Sequence, residues 1–419
     1  AMTKRLILAF VFLSWHLVAC SNGDSGISSG LPDKPSAEED SPGTETISEE
    51  MRVKITGEDL YISAKLDAKT DILYWFKKCM FNELFTFYRV GTIDNNMPTP
   101  ATLPDASPTS LLNLAYSDNI GPFNITGYGW CGGNHPYLDE VTQTARNIGY
   151  RIYIDGKEIK TDLSTLTKEI KIEVINEIMN PSKADTSSGK TLLNEILCIE
   201  TVNYSIYRNN IQVLVTHEFQ NESPVTVQMY YGMQSMFDKE THTLTANGKY
   251  VDWTVQKDVS TFTKKEYPSF RRFIEKSANA YQSSYLFADG LGNHEEISDD
   301  DIIFIGNSSN KTYHKIIADR EHKKGDIIHW SGVYTWFKSP VSDDDDLLCY
   351  EGVIDNKKVL FIDCKKSVDR TIQLPVDYTK KSFTIIEKSK SITITGNKVT
   401  AKGLRIVSDG SGSCVITFD

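Results

Sequence analysis

Alternation of apolar and polar positions runs through most of the chain and predicts β-strands. Residues 147–160 read NIGYRIYIDGKEIK, an alternating stretch interrupted by Asp155 and Gly156. That pair suits a two-residue hairpin turn, because both turn positions need a positive φ. Similar turn signals recur at Asn247 and Gly248 and ahead of the final apolar run, CVITF. The pattern predicts an all-β fold, a large and mainly antiparallel β-sandwich.

Helical periodicity is scarce by comparison. The best amphipathic candidate is SFRRFIEKSANAY at residues 269–281, in which Phe270, Phe273, Ile274 and Tyr281 would share a face. No proline-rich or glycine-rich break and no repeat of fixed period divides residues 51–419. We therefore expect one large β-sandwich body over residues 51–419 with few short helices.

Two alternating stretches, IQVLVTHEFQ at residues 211–220 and VTVQMYYGMQ at residues 225–234, are expected to pair as a hairpin. Like faces stay together only if opposed residues have the same parity. That register places Glu218 opposite Thr226, Thr216 opposite Gln228, and Leu214 opposite Tyr230. A face of amides, a carboxylate and a tyrosine has the chemistry of a sugar-binding surface; a solvated outer face is the alternative.

His217 and Glu218 are adjacent in sequence but cannot serve one site in a regular strand, because successive side chains point to opposite faces. His217 falls in the apolar set, which favours a hydrogen-bonded core histidine. If His217 has a catalytic role instead, Tyr231 is its expected companion on the same face.

The first twenty residues have the pattern of a secretory signal. Lys4 and Arg5 form a positive segment, residues 6–18 are an apolar run too short to remain as a membrane span, and Ala19 precedes Cys20. The tetrapeptide LVAC at this point resembles the lipobox of bacterial lipoproteins. The resemblance implies lipidation of Cys20 and an exported protein anchored in the outer membrane, facing the periplasm or the cell surface. An ordinary signal peptide that contains a cysteine is the alternative.

Residues 21–50 are rich in serine, glycine, proline and acidic residues and have almost no apolar side chains. Such a segment cannot bury enough surface to offset its chain entropy. We expect a disordered acidic tether. The formal net charge of the whole chain is -11, which argues against nucleic acid as a partner. Neutral glycans, cations or basic proteins fit better.

Six cysteines follow Cys20, and none has the spacing of a metal site. Export permits disulfides. A two-residue turn at Asn356 and Lys357 would place Cys349 opposite Cys364, at a Cα separation of about 5.5 Å that a disulfide can span. Two buried free thiols are the alternative.

Two acidic runs, residues 293–301 and 343–346, offer carboxylate oxygens that would suit calcium. Neither has the ligand and glycine pattern of a calcium loop, so we expect solvated charge runs, no metal site and no cofactor. The aromatic run HWSGVYTWF at residues 329–337 is expected to form a core strand rather than a platform for sugars.

The stretch GYGWCGGNHPYLDEVTQTARN at residues 127–147 is the strongest candidate for a site. Its glycines prevent a stiff strand and let a ligand approach the backbone. Asn134 and Arg146 would neutralise the carboxylate of an acidic sugar, while His135 or Tyr137 moves a proton. A structural glycine turn is the alternative.

This arrangement follows the logic of polysaccharide lyases. The expected catalytic residues are His135, Arg146, His217 and Tyr231. The expected substrate contacts are Trp130, Asn134, Tyr137, Glu218, Gln228 and Tyr230. A hydrolase would need two carboxylates at a set separation, and Asp139, Glu140 and Glu218 are the candidates near this stretch.

The lipobox, the tether, the long β body and the 127–147 stretch together resemble the large β-sandwich proteins of bacterial glycan-utilisation systems, including the galactose-mutarotase-like supersandwich. The resemblance implies a polysaccharide or oligosaccharide partner. It leaves open a glycan-active enzyme, a non-catalytic glycan-binding lipoprotein, and a structural or adhesin-like module.

Overall fold

A computed structural model of the protein describes residues 47–101, 120–185, 192–236, 242–245, 247–252, 260–262, 272–278, 280–289, 302–305 and 311–419. The predicted signal segment with Cys20, most of the tether and the acidic run at 293–301 lie outside these residues. The described part consists of antiparallel strands and turns with two single-turn 3₁₀ helices, Pro181–Lys183 and Val376–Tyr378. The all-β, antiparallel prediction is therefore confirmed.

A ten-stranded sheet is the centre of the fold. Its order is β17-β16-β19-β20-β23-β14-β13-β10-β7-β8. The strands are β7 (Ala145–Ile154), β8 (Lys157–Ile159), β10 (Ile170–Met179), β13 (Ile196–Tyr207), β14 (Asn210–Phe219), β16 (His242–Leu244), β17 (Tyr250–Asp252), β19 (Arg272–Lys276), β20 (Tyr281–Leu286) and β23 (Ile327–Phe337).

Two further sheets cover the inner face of this central sheet. A five-stranded sheet, order β4-β3-β2-β1-β9, packs on it through Phe76 and Tyr204, whose rings are 5.4 Å apart. A six-stranded sheet, order β18-β21-β22-β15-β5-β6, packs beside it through Phe123 and His217, with ring centroids 4.8 Å apart. The strands of the first are β1 (Met51–Thr56), β2 (Asp59–Lys65), β3 (Thr70–Cys79), β4 (Leu84–Asp94) and β9 (Leu163–Thr167); those of the second are β5 (Ile120–Ile125), β6 (Gly129–Cys131), β15 (Val225–Met236), β18 (Ser260–Phe262), β21 (Ile302–Ile305) and β22 (Lys311–His322).

The C-terminal residues form sheets that cover one end of the opposite, outer face. Phe337 of β23 stacks on Tyr350 at 4.3 Å, and Tyr285 of β20 lies 5.6 Å from Phe361. The C-terminal strands are β24 (Ser342–Asp343), β25 (Leu347–Ile354), β26 (Lys357–Cys364), β28 (Phe383–Lys388) and β31 (Gly412–Phe418) in one sheet, and β27 (Val368–Ile372), β29 (Ile392–Ile394) and β30 (Leu404–Ser408) in another. A two-stranded ribbon, β11 (Ala184–Asp185) with β12 (Leu192–Leu193), completes the described strands.

The expected hairpin of residues 211–234 is wrong. β14 pairs with β13 and β23 of the central sheet, whereas β15 pairs with β5 and β22 of the six-stranded sheet. The chain therefore arches from one layer to the other, and Glu218 lies opposite Ile199 and Ile327 instead of Thr226. The apolar faces of both strands still meet, but across the interior of the sandwich.

The expected helix at residues 269–281 is also wrong. Its described part is strand β19, which pairs with β20 in a hairpin. Arg272 to Glu275 are consecutive buried residues, so both faces of β19 are covered. The positions of the apolar residues in this strand therefore do not mark the buried face of a helix.

The turn prediction at Asp155 and Gly156 is confirmed, since both residues have positive φ, 48° and 79°, and Ile154 lies opposite Lys157.

The turn between β25 and β26 lies one residue earlier than the turn predicted at Asn356 and Lys357. Asp355 and Asn356 form it, with φ of 50° and 60°, so Cys349 lies opposite Ile362 and Leu347 opposite Cys364. The six cysteines after Cys20 are buried free thiols, and the expected Cys349–Cys364 bridge is wrong.

Within the described ranges, no helix has the length and apolar character needed to cross a membrane.

Candidate functional site

Four glycines shape the loop that follows β5. Gly127, Gly129, Gly132 and Gly133 all have positive φ, between 58° and 95°. At Gly132 a Cβ would also approach Ile178 to 3.3 Å. L-residues with side chains rarely adopt this backbone, so the glycine pattern is explained by the turn itself.

The loop is anchored to the five-stranded sheet by Asn82, a buried residue between β3 and β4. The Asn82 side chain donates to Gly133 O at 2.7 Å and accepts from the Thr144 amide at 3.2 Å. Thr144 Oγ1 in turn accepts from Gly132 N at 3.1 Å. Further along the loop, Asp139 accepts from the amide of Thr142 at 2.6 Å, which makes this carboxylate a turn-forming group rather than a catalytic one.

Three aromatic rings are stacked where the loop meets the six-stranded sheet. Trp130 of β6 lies 5.9 Å from Tyr231 of β15 with an interplanar angle of 22°, and 6.2 Å from Tyr137 with an angle of 29°. His135 meets Tyr137 edge-on at 5.7 Å. Trp130, His135 and Tyr137 are half-buried and Tyr231 is buried. We call these four residues the aromatic row.

The aromatic row lies on the outer face of the six-stranded sheet. Trp130 is in register with Asn124, whose neighbours Phe123 and Ile125 point into the core. Cross-strand partners point the same way, so Trp130 and Asn124 point outward. Lys315 is in register with Tyr231, and Gln228 is exposed on β15. Two amides and one ammonium group therefore lie on the sheet that carries the aromatic row.

Sequence reasoning missed Asn124 and Lys315. Asn124 lies on β5, just before the 127–147 stretch, whereas Lys315 lies on β22, far from that stretch in sequence. Only the pairing of β15 with both strands brings them together.

Asn134 does not point outward with the aromatic row. It is 4% exposed, and its carbonyl accepts from the amide of Phe81 at 3.3 Å. Its Oδ1 has no hydrogen-bond partner within the described part of the chain. The expected role of Asn134 as a surface contact for a carboxylate is not supported by this placement.

His217 is a core histidine, as the favoured interpretation predicts. It is fully buried, and its Nε2 lies 2.9 Å from Glu200 Oε2. Glu200 also accepts from Asn176, which accepts from Asn147, so a polar chain crosses four neighbouring strands inside the sandwich. The ring next to His217 is Tyr230 at 5.2 Å rather than the expected Tyr231.

Tyr230 is buried in the core, where the sequence pattern predicts a polar outer face. The register of β15 against β5 shifts between Val227 and Met229, so Val227 and Tyr230 both point inward and Tyr231 points outward. The Tyr230 hydroxyl accepts a hydrogen bond from Trp330 Nε1 at 3.0 Å. Trp330 itself is fully buried, as expected for a core strand.

Arg146 and Glu218 lie on the other side of the molecule. Both belong to the outer face of the central sheet, in one cross-strand row that runs through Glu177 and Ile199. Arg146 forms an ion pair with Glu177. Three strand spacings separate Arg146 from Glu218, about 14 Å. The predicted convergence of Arg146 with the aromatic row is therefore wrong, because the sandwich interior lies between them.

Burial also limits proton transfer by the predicted groups. It raises the pKa of the Tyr231 phenol above its ordinary value, so this hydroxyl stays neutral at physiological pH. A general base is most effective with a pKa near the working pH. Tyr231 suits stacking better than the catalytic role expected for it.

The acidic run at 343–346 is neutralised by nearby cations. Asp343 pairs with Lys365 at 2.9 Å, and Asp344 pairs with Arg370 at 2.7 Å. Hydrogen bonds from Arg370 and from backbone amides lower the pKa of Asp344 to about 2, against the opposing effect of its partial burial. Among the described residues, no group of three or more potential metal ligands is present.

A separate cleft of about 260 Å³ lies between the β1–β2 turn and the β7–β8 hairpin. Tyr150, Glu58, Asp59 and Asp162 are among the residues that line it, and none of the predicted site residues does. The aromatic row is thus a surface feature outside this cleft.

Comparisons with protein-family models and with curated proteins give no match for this chain. Among solved structures, the chain is similar to a family 36 α-galactosidase, AgaB, from Geobacillus stearothermophilus, with a TM-score of 0.40 and 8% identity over 69% of this chain and 41% of that one. It is also similar to the galactosidase domain of the α-galactosidase-sucrose kinase AgaSK, with a TM-score of 0.36 and 8% identity over 66% and 40%. A glycoside hydrolase family 97 enzyme from Pseudoalteromonas sp. strain K8 gives a TM-score of 0.34 and 6% identity over 69% and 36%. The chain spans about two fifths of the length of these proteins, and likeness at this level carries no argument about its activity.

Proposed function

We propose that this protein is an exported, lipid-anchored protein that binds a polysaccharide through the outer face of its six-stranded sheet. The observation that carries the proposal is the near-parallel stack of Tyr231, Trp130 and Tyr137, with Trp130 partly open to solvent. Flat aromatic rings pack well against the apolar faces of pyranose sugars, and a rigid ring loses little conformational entropy on binding.

Polar groups beside the rings suit the rest of a sugar. Asn124 and Gln228 offer amide donors and acceptors for hydroxyl groups, and Lys315 offers a positive charge near Tyr231. The ammonium group favours a glycan that carries carboxylates or other anionic groups. An open sheet face also suits a long polymer better than a small enclosed ligand.

Binding without turnover is the form of the proposal that the geometry supports best. Of the four residues expected to be catalytic, His217 is in the core, Tyr231 has a raised pKa, and Arg146 is on the opposite face. His135 alone stays on the side of the aromatic row, where its imidazole meets Tyr137. A lyase needs a base and a neutralising group at one sugar.

Replacement of Trp130 by alanine is expected to weaken polysaccharide binding by about 2 kcal/mol, or about 30-fold, because it removes the central ring of the stack. Affinity electrophoresis through gels containing a neutral or an acidic polysaccharide measures this change, as reduced retardation of the variant. The thermal unfolding of Trp130→Ala should be followed in parallel to show that the fold is kept.

Tyr128→Ala is the matched control. Tyr128 is 55% exposed on the turn between β5 and β6, next to Trp130 in sequence but outside the stack. Its loss should leave retardation within about twofold of the parent. Equal loss of binding in both variants, or no retardation of the parent chain by any polysaccharide in the set, would contradict the proposed site.

The anchor makes a separate prediction. Cys20→Ser removes the only residue of the LVAC segment that can accept a lipid, so metabolic labelling with a fatty acid should disappear and the protein should move from the membrane to the soluble fraction. Persistent labelling of the Cys20→Ser variant would refute lipidation at this site. Glycan binding should be unaffected, which separates the two parts of the proposal.

A further inference from the structure

Within the described part of the chain, the outer face of the central sheet is open over β7, β10, β13, β14 and the start of β23. The C-terminal sheet covers the other end of this face and reaches its border at Gln212, which hydrogen-bonds Asp355 at 3.2 Å. We call the open part the outer patch. It consists of the outward side chains of these five strands and lies on the opposite side of the sandwich from the aromatic row.

The outer patch carries aliphatic side chains that a solvated sheet face does not need. Ile148 is 55% exposed, Leu214 41% and Ile327 63%, and Ile175 and Ile199 are half-buried among them. Thr201 and Thr216, in register with each other, lie between them, and Tyr153 of β7 and His329 of β23 also point outward. Exposed aliphatic groups gathered on one face are typical of a protein interaction surface.

The charges of the outer patch are balanced. Its cations are Arg146, Arg151 and Lys171, and its anions are Glu173, Glu177 and Glu218. A strongly charged partner would require an excess of one sign on this face. A second copy of the outer patch is complementary to the first when a rotation places a cation of one copy against an anion of the other.

A two-fold axis parallel to the strands, between β10 and β13, supplies that rotation. It superposes β7 of one copy on β14 of the other while keeping each cross-strand row in place. Arg146 and Glu218 are the two ends of one four-strand row, so each Arg146 would face the Glu218 of the second copy. Ile175 and Thr201, at the centre of the next row, would face one another in the same way.

The area is sufficient for a weak dimer. Four strands of each copy overlap under this axis. At a spacing of about 4.8 Å, with rows that extend about 24 Å along the strands, they give roughly 460 Å² per copy, or roughly 920 Å² in total. That value is below the range of stable, specific interfaces and typical of weak, transient ones. We propose that the outer patch is the interface of a two-fold symmetric dimer of this chain.

Such a dimer would leave both aromatic rows exposed on its two outer sides. This arrangement does not depend on the proposed glycan function, because the contact residues of the two faces are different.

Sedimentation velocity of the unlipidated Cys20→Ser chain, from about 1 to 100 μM, tests the proposal. We expect the sedimentation coefficient to rise with concentration to that of a dimer. Leu214→Arg should weaken the dimer at least tenfold, because Leu214 and Arg151 are the two ends of one four-strand row and the axis places the new cation opposite Arg151 of the second copy. Ile386→Arg is the matched control, since Ile386 is also 41% exposed but lies on β28 of the C-terminal sheet, and it should leave the dimer intact.

Charge reversal tests the axis itself. Glu218→Arg should dissociate the dimer because it places two cations face to face, and the double variant Arg146→Glu with Glu218→Arg should restore association. A parent chain that stays monomeric at 100 μM, a Leu214→Arg variant that dimerises like the parent, or an Ile386→Arg variant that dissociates would each overturn the proposal. All substituted side chains are exposed, so circular dichroism should show the same fold in every variant.

Discussion

Replacement of Asp363 by alanine is expected to lower the free energy of unfolding by about 3–5 kcal/mol, because it leaves a buried guanidinium without its carboxylate. Asp363 on β26 pairs with Arg272 on β19, and both side chains are 1% exposed. Ser413 on β31 accepts from Arg272 at 2.6 Å and donates to Asp363 at 2.7 Å. The pair thus joins the central sheet to the C-terminal sheet.

Urea denaturation of the full chain at pH 7 measures this loss. Asp369→Ala is the control, because Asp369 of β27 pairs with Arg405 of β30 at 3.1 Å, but both side chains are about 60% exposed. Exposed pairs contribute about 0–1 kcal/mol, so the control should unfold close to the parent. Similar losses in the two variants would show that burial of the Arg272–Asp363 pair has no special importance.

Glu275 is expected to make the stability of the protein fall as pH rises. It is 3% exposed on β19, and burial raises the pKa of its carboxyl group to about 8, although a hydrogen bond from Thr312 acts in the opposite direction. In the unfolded chain the group titrates near 4.5. Between these two pKa values the folded state holds a proton that the unfolded state has released. The free energy of unfolding therefore falls by about 1.4 kcal/mol for each unit that the pH rises.

The contribution of protonated Glu275 is complete below about pH 4.5 and is lost as pH rises through about 8. From pH 5 to pH 8 this loss amounts to about 3 kcal/mol. Glu275→Gln cannot titrate, so the difference in unfolding free energy between the variant and the parent should shift in favour of the variant by that amount over the same range. A Glu275→Gln curve parallel to that of the parent would show that the carboxyl group is ionised in the folded protein.

Local sequence chemistry predicts much of this fold. Alternation identifies the strands, and the Asp155–Gly156 turn follows from the positive φ that both positions need. The turn after β25 shows the limit of such reasoning. Asp355 and Asn356 adopt the turn in place of Asn356 and Lys357, and a shift of one residue separates Cys349 from Cys364.

The layer to which a strand belongs cannot be read from alternation. β14 and β15 have matching apolar faces, which fit a hairpin and equally fit an arch across a shared core. The buried residue Asn221 holds the arch by donating to Ser223 O at 2.8 Å and to His322 O at 3.1 Å, and the second contact joins residues 101 positions apart. Such a contact has no signature in the segment itself.

For the candidate site too, part of the arrangement could be predicted from the sequence and part could not. The 127–147 stretch was identifiable because its glycines and rings are neighbours in sequence, and Trp130, His135 and Tyr137 do lie together. Tyr231 joins them only because the irregularity between Val227 and Met229 reverses the alternation of β15. Gly232 then points inward, where a Cβ would collide with Ile316 and Trp330. Arg146 was misplaced because the loop ends on the other layer of the sandwich.

The arch between β14 and β15 also affects how the chain can fold during synthesis. β14 finds one partner in the preceding strand β13, but its other edge pairs with β23, which begins at Ile327. More than a hundred residues must be made before that edge is covered, and an uncovered edge strand invites pairing with other chains. Chains truncated before Ile327 should therefore aggregate, whereas truncation after Phe337 leaves the central sheet with all of its strands.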